Sequence, residues 1–281
     1  MRNLGLLLVL ALSLAACQSQ PGAVAKPTLP RPQVVVMTST PGPAGGATLS
    51  PSFPTPAAMP TPAAPVSATV AAPDGAALAT TFYAPLQTGS TASAKAPGVL
   101  LLPMANQERA EWDSLARALQ QRGFAVLSMD LRGQGESAGP ADWAKSSADV
   151  QAVWQALLVR PEVNADRSGM VGASVGANLA LIVGEDNPNV ATVIALSPAQ
   201  DYFGLQPTGK LGDFGQRGVL MVASQDDAYA YDSVRQMAPL VPKGETYYFA
   251  DAGHGIDMFG TPTLAPLLIS WLEEHLGVLK G

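Results

Sequence analysis

Six short apolar runs recur along the second two-thirds of the chain. They are GVLLLPM (98–104), FAVLSMD (124–130), SGMVGA (168–173), VATVIALS (190–197), GVLMVAS (218–224) and TYYFADA (246–252). They show little apolar–polar alternation, as expected of strands buried on both faces. The intervening segments change period. In ERAEWDSLARALQQRG, apolar Trp112, Leu115, Ala116 and Leu119 fall at helical spacing before Gly123. The same spacing joins Val150, Val153, Trp154 and Leu157 within 141–159. SVGANLALIVGED, YDSVRQMAPL and LAPLLISWLEEHLG also read as helices. Strands alternating with helices predict an α/β fold: a mostly parallel central sheet with helices on both faces. Ahead of it, SATVAA and ALATTFYAP flank Pro73-Asp74-Gly75, which predicts a hairpin.

The first 65 residues follow another pattern. MRN and LGLLLVLALSL make a positive start and a short apolar stretch, the layout of a signal peptide over 1–16. Residues 18–65 are rich in Pro, Ala, Thr and Gly, have no apolar period and cannot bury enough surface to offset their ordering entropy. They are expected to be a disordered tether, spanning roughly 40 Å as a coil. The organisation expected is therefore signal 1–16, Cys17 and tether 17–65, and folded domain 66–281. LAAC, ending at Cys17, resembles a bacterial lipobox, which implies cleavage before Cys17, lipid on its thiol and export to a membrane surface. A plain secretory signal with an incidental cysteine is the alternative. Lipid on Cys17 would leave no thiol for a disulfide, since it is the single cysteine.

The charge is −6 and no cluster of Lys and Arg stands out, so nucleic acid is not an expected partner. Two histidines and one cysteine are too few for a usual zinc site, and neither metal nor cofactor is expected. The polar chemistry gathers after the apolar runs. Ser174 follows SGMVGA within GASVG and opens a helical segment. Asp226 and Asp227 follow GVLMVAS, and His254 follows TYYFADA. Functional loops of such sheets lie at the carboxyl ends of strands. A serine hydroxyl becomes a useful nucleophile when an imidazole takes its proton and a carboxylate orients that imidazole. Asp226 and Asp227 are both candidates for that carboxylate. His275 lies near a helix end, where the dipole accounts for it.

From about residue 66 onward the chain resembles the α/β-hydrolase superfamily, in particular dienelactone-hydrolase-like proteins and small serine esterases. LLPMANQ, DLRGQGES (130–137), GASVGA, ASQDDAYAY and DAGHG carry the resemblance, in the order Ser, Asp, His. It implies a Ser174–His254–Asp227 triad, since relatives place the acid a few residues past the strand end before a small residue, with Asp226 the alternative, and backbone amides of Val175 and of Met104 or Ala105 as the oxyanion hole. Pro103 has no amide to offer. Two features depart from the pattern. Pro103-Met104 stands where relatives often have His-Gly, and the nucleophile is Ser where dienelactone hydrolases have Cys. Asp130 and Arg132 are expected to shape their turn. Only about twenty residues separate Ser197 from Gly218, too few for a large cap domain. Tyr202, Phe203, Tyr229 and Met258, with Tyr231 and Phe259, are candidates to line an open acyl pocket. The expected activity is hydrolysis of small to medium carboxylic esters through an acyl-enzyme. A peptidase or amidase of the same fold, or a silent lipid-anchored binding domain, are the alternatives.

Overall fold

The computed structural model describes residues 61–86 and 94–277, all within the unit Ala57–Gly281. The signal segment, Cys17 and nearly all of the tether lie outside the described residues.

Eight strands form one sheet: β1 (Val66–Ala71), β2 (Ala77–Tyr83), β3 (Ala96–Leu102), β4 (Ala125–Met129), β5 (Val163–Ala173), β6 (Val190–Leu196), β7 (Gly218–Ser224) and β8 (Gly244–Phe249). Their spatial order is β1-β2-β4-β3-β5-β6-β7-β8. β1 and β2 form the antiparallel hairpin around Asp74-Gly75, β2 also runs antiparallel to β4, and every later pairing is parallel. The helices are α1 (Asp113–Gln121), α2 (Trp143–Leu158), α3 (Val175–Asp186), α4 (Ala228–Met237) and α5 (Leu264–Leu276).

The core explains the unalternating runs. On β3, Leu100 and Leu102 pack with α2 and α3 residues such as Trp154 and Leu179. Val99 and Leu101, on the opposite face, pack with Leu115 and Leu119 of α1 and Leu268 and Leu272 of α5. Each residue of β3 is buried, whichever way its side chain points. Two elements differ from the sequence expectation. β5 begins at Val163 rather than near 168, because Val163 and Asn164 pair with Ala96 and Pro97 of β3. A register shift there is closed by Ser168, whose Oγ accepts from Gly98 N at 3.1 Å and donates to Asn164 O at 2.8 Å. The helix expected to end at Gly123 is broken into a 3₁₀ turn, Arg109–Trp112, followed by α1.

Between β6 and β7 the chain forms only two short 3₁₀ turns, Pro207–Gly209 and Leu211–Phe214. Among the described residues, no large cap covers the carboxyl ends of the strands. Both ends of this connection are fastened. Asn178 of α3, fully buried, donates to Ala199 O and Leu205 O at 2.8 Å and accepts from Ala199 N at 3.0 Å. The Arg217 guanidinium donates to the carbonyls of Gly184, Asn187, Val190, Asp213 and Phe214.

DLRGQGES is built from buried ion pairs. Asp130 accepts from Arg109 N at 2.6 Å, from its guanidinium, and from Glu136 N at 2.8 Å. Arg132 forms a two-pronged pair with Asp149 at 2.7 and 2.5 Å and also holds Asp74 of the hairpin turn at 3.0 and 3.1 Å. Among the described residues, no helix is long and apolar enough to cross a membrane.

Candidate active site

Ser174 stands between β5 and α3 with φ 54° and ψ −120°, a backbone conformation that a non-glycine residue rarely adopts. The turn is held on both sides. Ser174 N donates to Leu196 O at 2.8 Å, and Ser174 O accepts from Ala177 N and Asn178 N as α3 begins. The flanking glycines permit the close approach. A Cβ on Gly172 would lie 2.1 Å from Gly176 O, and one on Gly176 would lie 2.4 Å from Leu102 O and 2.5 Å from Pro103 O. The start of α3 therefore touches the end of β3, which brings the 103–107 loop beside the serine turn.

Asp227 and His254 are brought together as the chain order suggests. Asp227 caps α4, where the helix dipole favours an anion, and its Oδ2 lies 2.6 Å from His254 Nδ1. This bond fixes the tautomer in which Nδ1 carries the proton and Nε2 is left to accept one. Asp226 does a different job. Its carboxylate accepts the Ser224 hydroxyl and the amides of Ala252 and Gly253 at 3.1–3.3 Å, and these bonds hold its pKa below the usual carboxylate value. Ser224 Oγ also accepts from Ala252 N at 2.8 Å, and Ser197 Oγ from Gly255 N at 2.9 Å. Three side chains at the ends of β6 and β7 thus hold the loop that presents His254. No hydrogen bond joins Ser174 Oγ to His254 Nε2, a contact that commonly tightens only with substrate in place.

Tyr202 lies beside the site. Its ring meets His254 edge-on at 6.2 Å, its hydroxyl donates to Ser197 O at 3.3 Å, and Ser174 and the Asp227 charge both act on its phenol. Burial is the main reason its pKa lies well above the ordinary tyrosine value; Asp227 adds to the shift and the Ser174 hydroxyl opposes it. Tyr202 thus stays protonated at any working pH.

The loop after β3 decides between the two amides expected there. Pro103 has none. Met104 N donates to Glu111 Oε1 at 3.1 Å, Asn106 N to Gln134 Oε1 at 2.8 Å and Gln107 N to Met104 O at 3.4 Å. Ala105 is left with the free amide of residues 103–107. Met104 is therefore not available as a donor. Its side chain instead packs toward Gly255, next to His254. The Val175 amide, first in α3, has no intrahelical acceptor.

The expected acyl-pocket residues divide. Tyr229 is exposed, donates to Asp201 O at 2.9 Å and packs edge-on to Tyr202. Phe203, 58% exposed and with φ 56°, stacks on Trp143 at 4.6 Å. Met258 is fully buried in the core beneath the histidine loop and offers no surface to a ligand, a correction to the sequence reading. Phe259 packs on Trp112 and Tyr231 on Tyr248. Sequence reasoning missed Asn178 and Glu111. Asn178 lies one helical turn past Ser174 within an otherwise apolar stretch, 175–184, where a polar residue is itself a signal. Glu111 carried none.

The architecture is the α/β-hydrolase fold. The family described as serine aminopeptidase, S33 matches residues 98–211, a span that includes Ser174 and ends before Asp227 and His254. Among solved structures, the α/β hydrolase GrgF from Penicillium sp. sh18 superposes with a TM-score of 0.67 at 14% identity, over 76% of this chain and 99% of that one. An esterase from Pyrococcus furiosus gives 0.63 at 17% identity, over 76% and 92%. The esterase EaEST from Exiguobacterium antarcticum gives 0.61 at 14%, over 74% and 100%. At such identities the likeness is one of fold. No curated protein matches the chain. The family match and the esterase neighbours support a hydrolase.

Proposed function

We propose that the protein is a serine hydrolase cleaving small to medium carboxylic esters, with Ser174 as nucleophile, His254 as base and Asp227 as its orienting acid. The observation that carries this reading is the left-handed backbone of Ser174 at a strand-to-helix turn. A non-glycine residue held there costs about 1–3 kcal/mol, and such strain concentrates at functional sites. His254 Nε2 takes the Ser174 proton as Oγ attacks the ester carbonyl. The amides of Val175 and Ala105 receive the oxyanion. His254 then returns the proton to the leaving alcohol, and water cleaves the acyl-enzyme by the same steps in reverse roles. Tyr202, Phe203 and Tyr229 border the acyl group.

The test is labelling with a fluorophosphonate followed by mapping of the adduct. The adduct is expected on Ser174; labelling elsewhere, or none, removes the proposal. Cleavage of amides is the second reading, favoured by the description of the matching family. An ester panel run beside aminoacyl amides separates the two. We also propose that Cys17 carries lipid and tethers the domain to a bacterial membrane. An unmodified mature N-terminus, found by intact mass in the membrane fraction, would end that proposal.

A further inference from the structure

Glu111 sits half-buried in the 3₁₀ turn Arg109–Trp112, and its Oε1 accepts from Met104 N at 3.1 Å. Nothing in the proposed mechanism uses it. Its setting is unfavourable for a carboxylate. Burial is the main cause lifting its pKa to about 7; the Met104 amide opposes the shift and the Asp257 charge on the histidine-loop side adds to it. Among the described residues, no cation pairs with this carboxylate. Arg109, on the same turn, is committed to Asp130 and Glu136, and Asp113 receives the Tyr83 hydroxyl. An acid kept in such a place at electrostatic cost needs a local reason, and the backbone supplies one.

Met104 N is the first backbone donor of the loop, because Pro103 has none. That donor is held by Glu111 from one side, while Gln134 holds Asn106 N from the other. Ala105 lies between the two braces, with the only uncommitted amide of the loop. We propose, resting on the serine-hydrolase reading, that Glu111 is a positioning residue: by accepting the Met104 amide it fixes the 103–107 loop so that the Ala105 amide stays aimed at the oxyanion. Without this acceptor Met104 would offer a second loose amide, and the 103–104 peptide could rotate and carry Ala105 with it.

The test compares Glu111→Ala and Glu111→Gln in the full chain, by fluorophosphonate labelling rate, by kcat and KM on one ester, and by hydrogen exchange of the peptide that contains Met104. Glu111→Ala removes the acceptor; Glu111→Gln keeps an oxygen in its place. The alanine variant is expected to label about ten-fold more slowly or worse, a loss in the range set by sub-ångström misplacement of a reacting group. It should lose kcat with KM near wild type and exchange faster at Met104. The glutamine variant should stay within about three-fold of wild type in labelling, since it keeps the geometry. Alanine labelling at the wild-type rate overturns the inference, and so does a glutamine variant as slow as alanine. Wild-type protein that takes no label at all removes the serine-hydrolase reading, and this inference with it.

Discussion

Gly176→Ala adds one methyl group where α3 meets the end of β3. The new Cβ would lie 2.4 Å from Leu102 O, 2.5 Å from Pro103 O and 2.8 Å from Leu102 C. Cβ atoms essentially never approach other heavy atoms closer than 3.0 Å, so the gap must open by at least 0.6 Å, the difference between 3.0 and 2.4 Å. All three neighbours are backbone atoms, and Leu102 closes a strand paired on both sides to β4 and β5, so no flexible side chain can turn away. The first turn of α3 must therefore move off the 103–107 loop. Overpacking of this kind costs about 1–3 kcal/mol. The same shift separates the Val175 amide from the Ala105 amide, and a displacement approaching 1 Å costs about a hundred-fold in rate. Urea unfolding followed by tryptophan fluorescence measures the first quantity, and ester turnover or fluorophosphonate labelling the second. Gly209→Ala is the control, since its Cβ would meet nothing within 4 Å and its φ is not left-handed. A Gly176→Ala protein with a wild-type urea midpoint and labelling rate would refute the argument that close backbone approach is what the second glycine of GASVG provides.

Asp227→Asn should reduce ester turnover by about three to four orders of magnitude by freeing the wrong histidine tautomer, whereas Asp226→Asn should chiefly loosen the histidine loop and cost about ten-fold or less; the reverse ranking in kcat reverses the assignment. Arg132→Met leaves Asp149, which is 1% exposed, without its partner. It should cost about 3–5 kcal/mol in urea unfolding, and adding Asp149→Leu should recover much of the loss. Glu185 has a buried carboxyl oxygen with no partner, and burial, with the Asp186 charge adding, lifts its pKa from 4.5 to about 7. The unfolded chain thus gives up this proton at lower pH than the folded one, so stability falls as pH rises from about 4.5 through 7. Glu185→Gln should raise the unfolding free energy at pH 8 by roughly 1 kcal/mol and leave it unchanged near pH 4; equal effects at both pH values exclude the ionisation as cause.

The sheet was legible because five of its strands, β3 to β7, have buried apolar runs, whereas the edge strand β8 is largely exposed and was read from its aromatic residues. What fell short were places where pairing is carried by backbone alone. Val163 and Asn164 pair with β3 just before a register shift that skips residues 165–167, which leaves no continuous apolar signature, and the 3₁₀ turn at 109–112 keeps the helical spacing of Trp112 and Leu115 while changing the hydrogen bonds beneath it. At the site, residue type and order brought Ser174, Asp227 and His254 to one end of the sheet. Sequence could not choose between the Met104 and Ala105 amides, since that depends on a carboxylate seven residues downstream of Met104. Nor could it show that Met258, three residues past a glycine in an exposed-looking loop, turns inward.

Asn178 has a bearing on how this scaffold could diversify. It ties residues 199 and 205 to the helix that begins at Ser174, while Arg217 ties residues 213–214 to the end of the same helix. Pro207 and Leu211 are buried, and the exposed Gly209 and Lys210 between them lie between two independent anchors, one on the site side and one remote from it. Lengthening that stretch adds only a slowly growing loop-closure entropy, and neither Tyr202 nor the serine turn has to shift to admit it. The protein thus carries a port where a lid could be grafted, or exchanged for another, with the chemistry beneath left undisturbed.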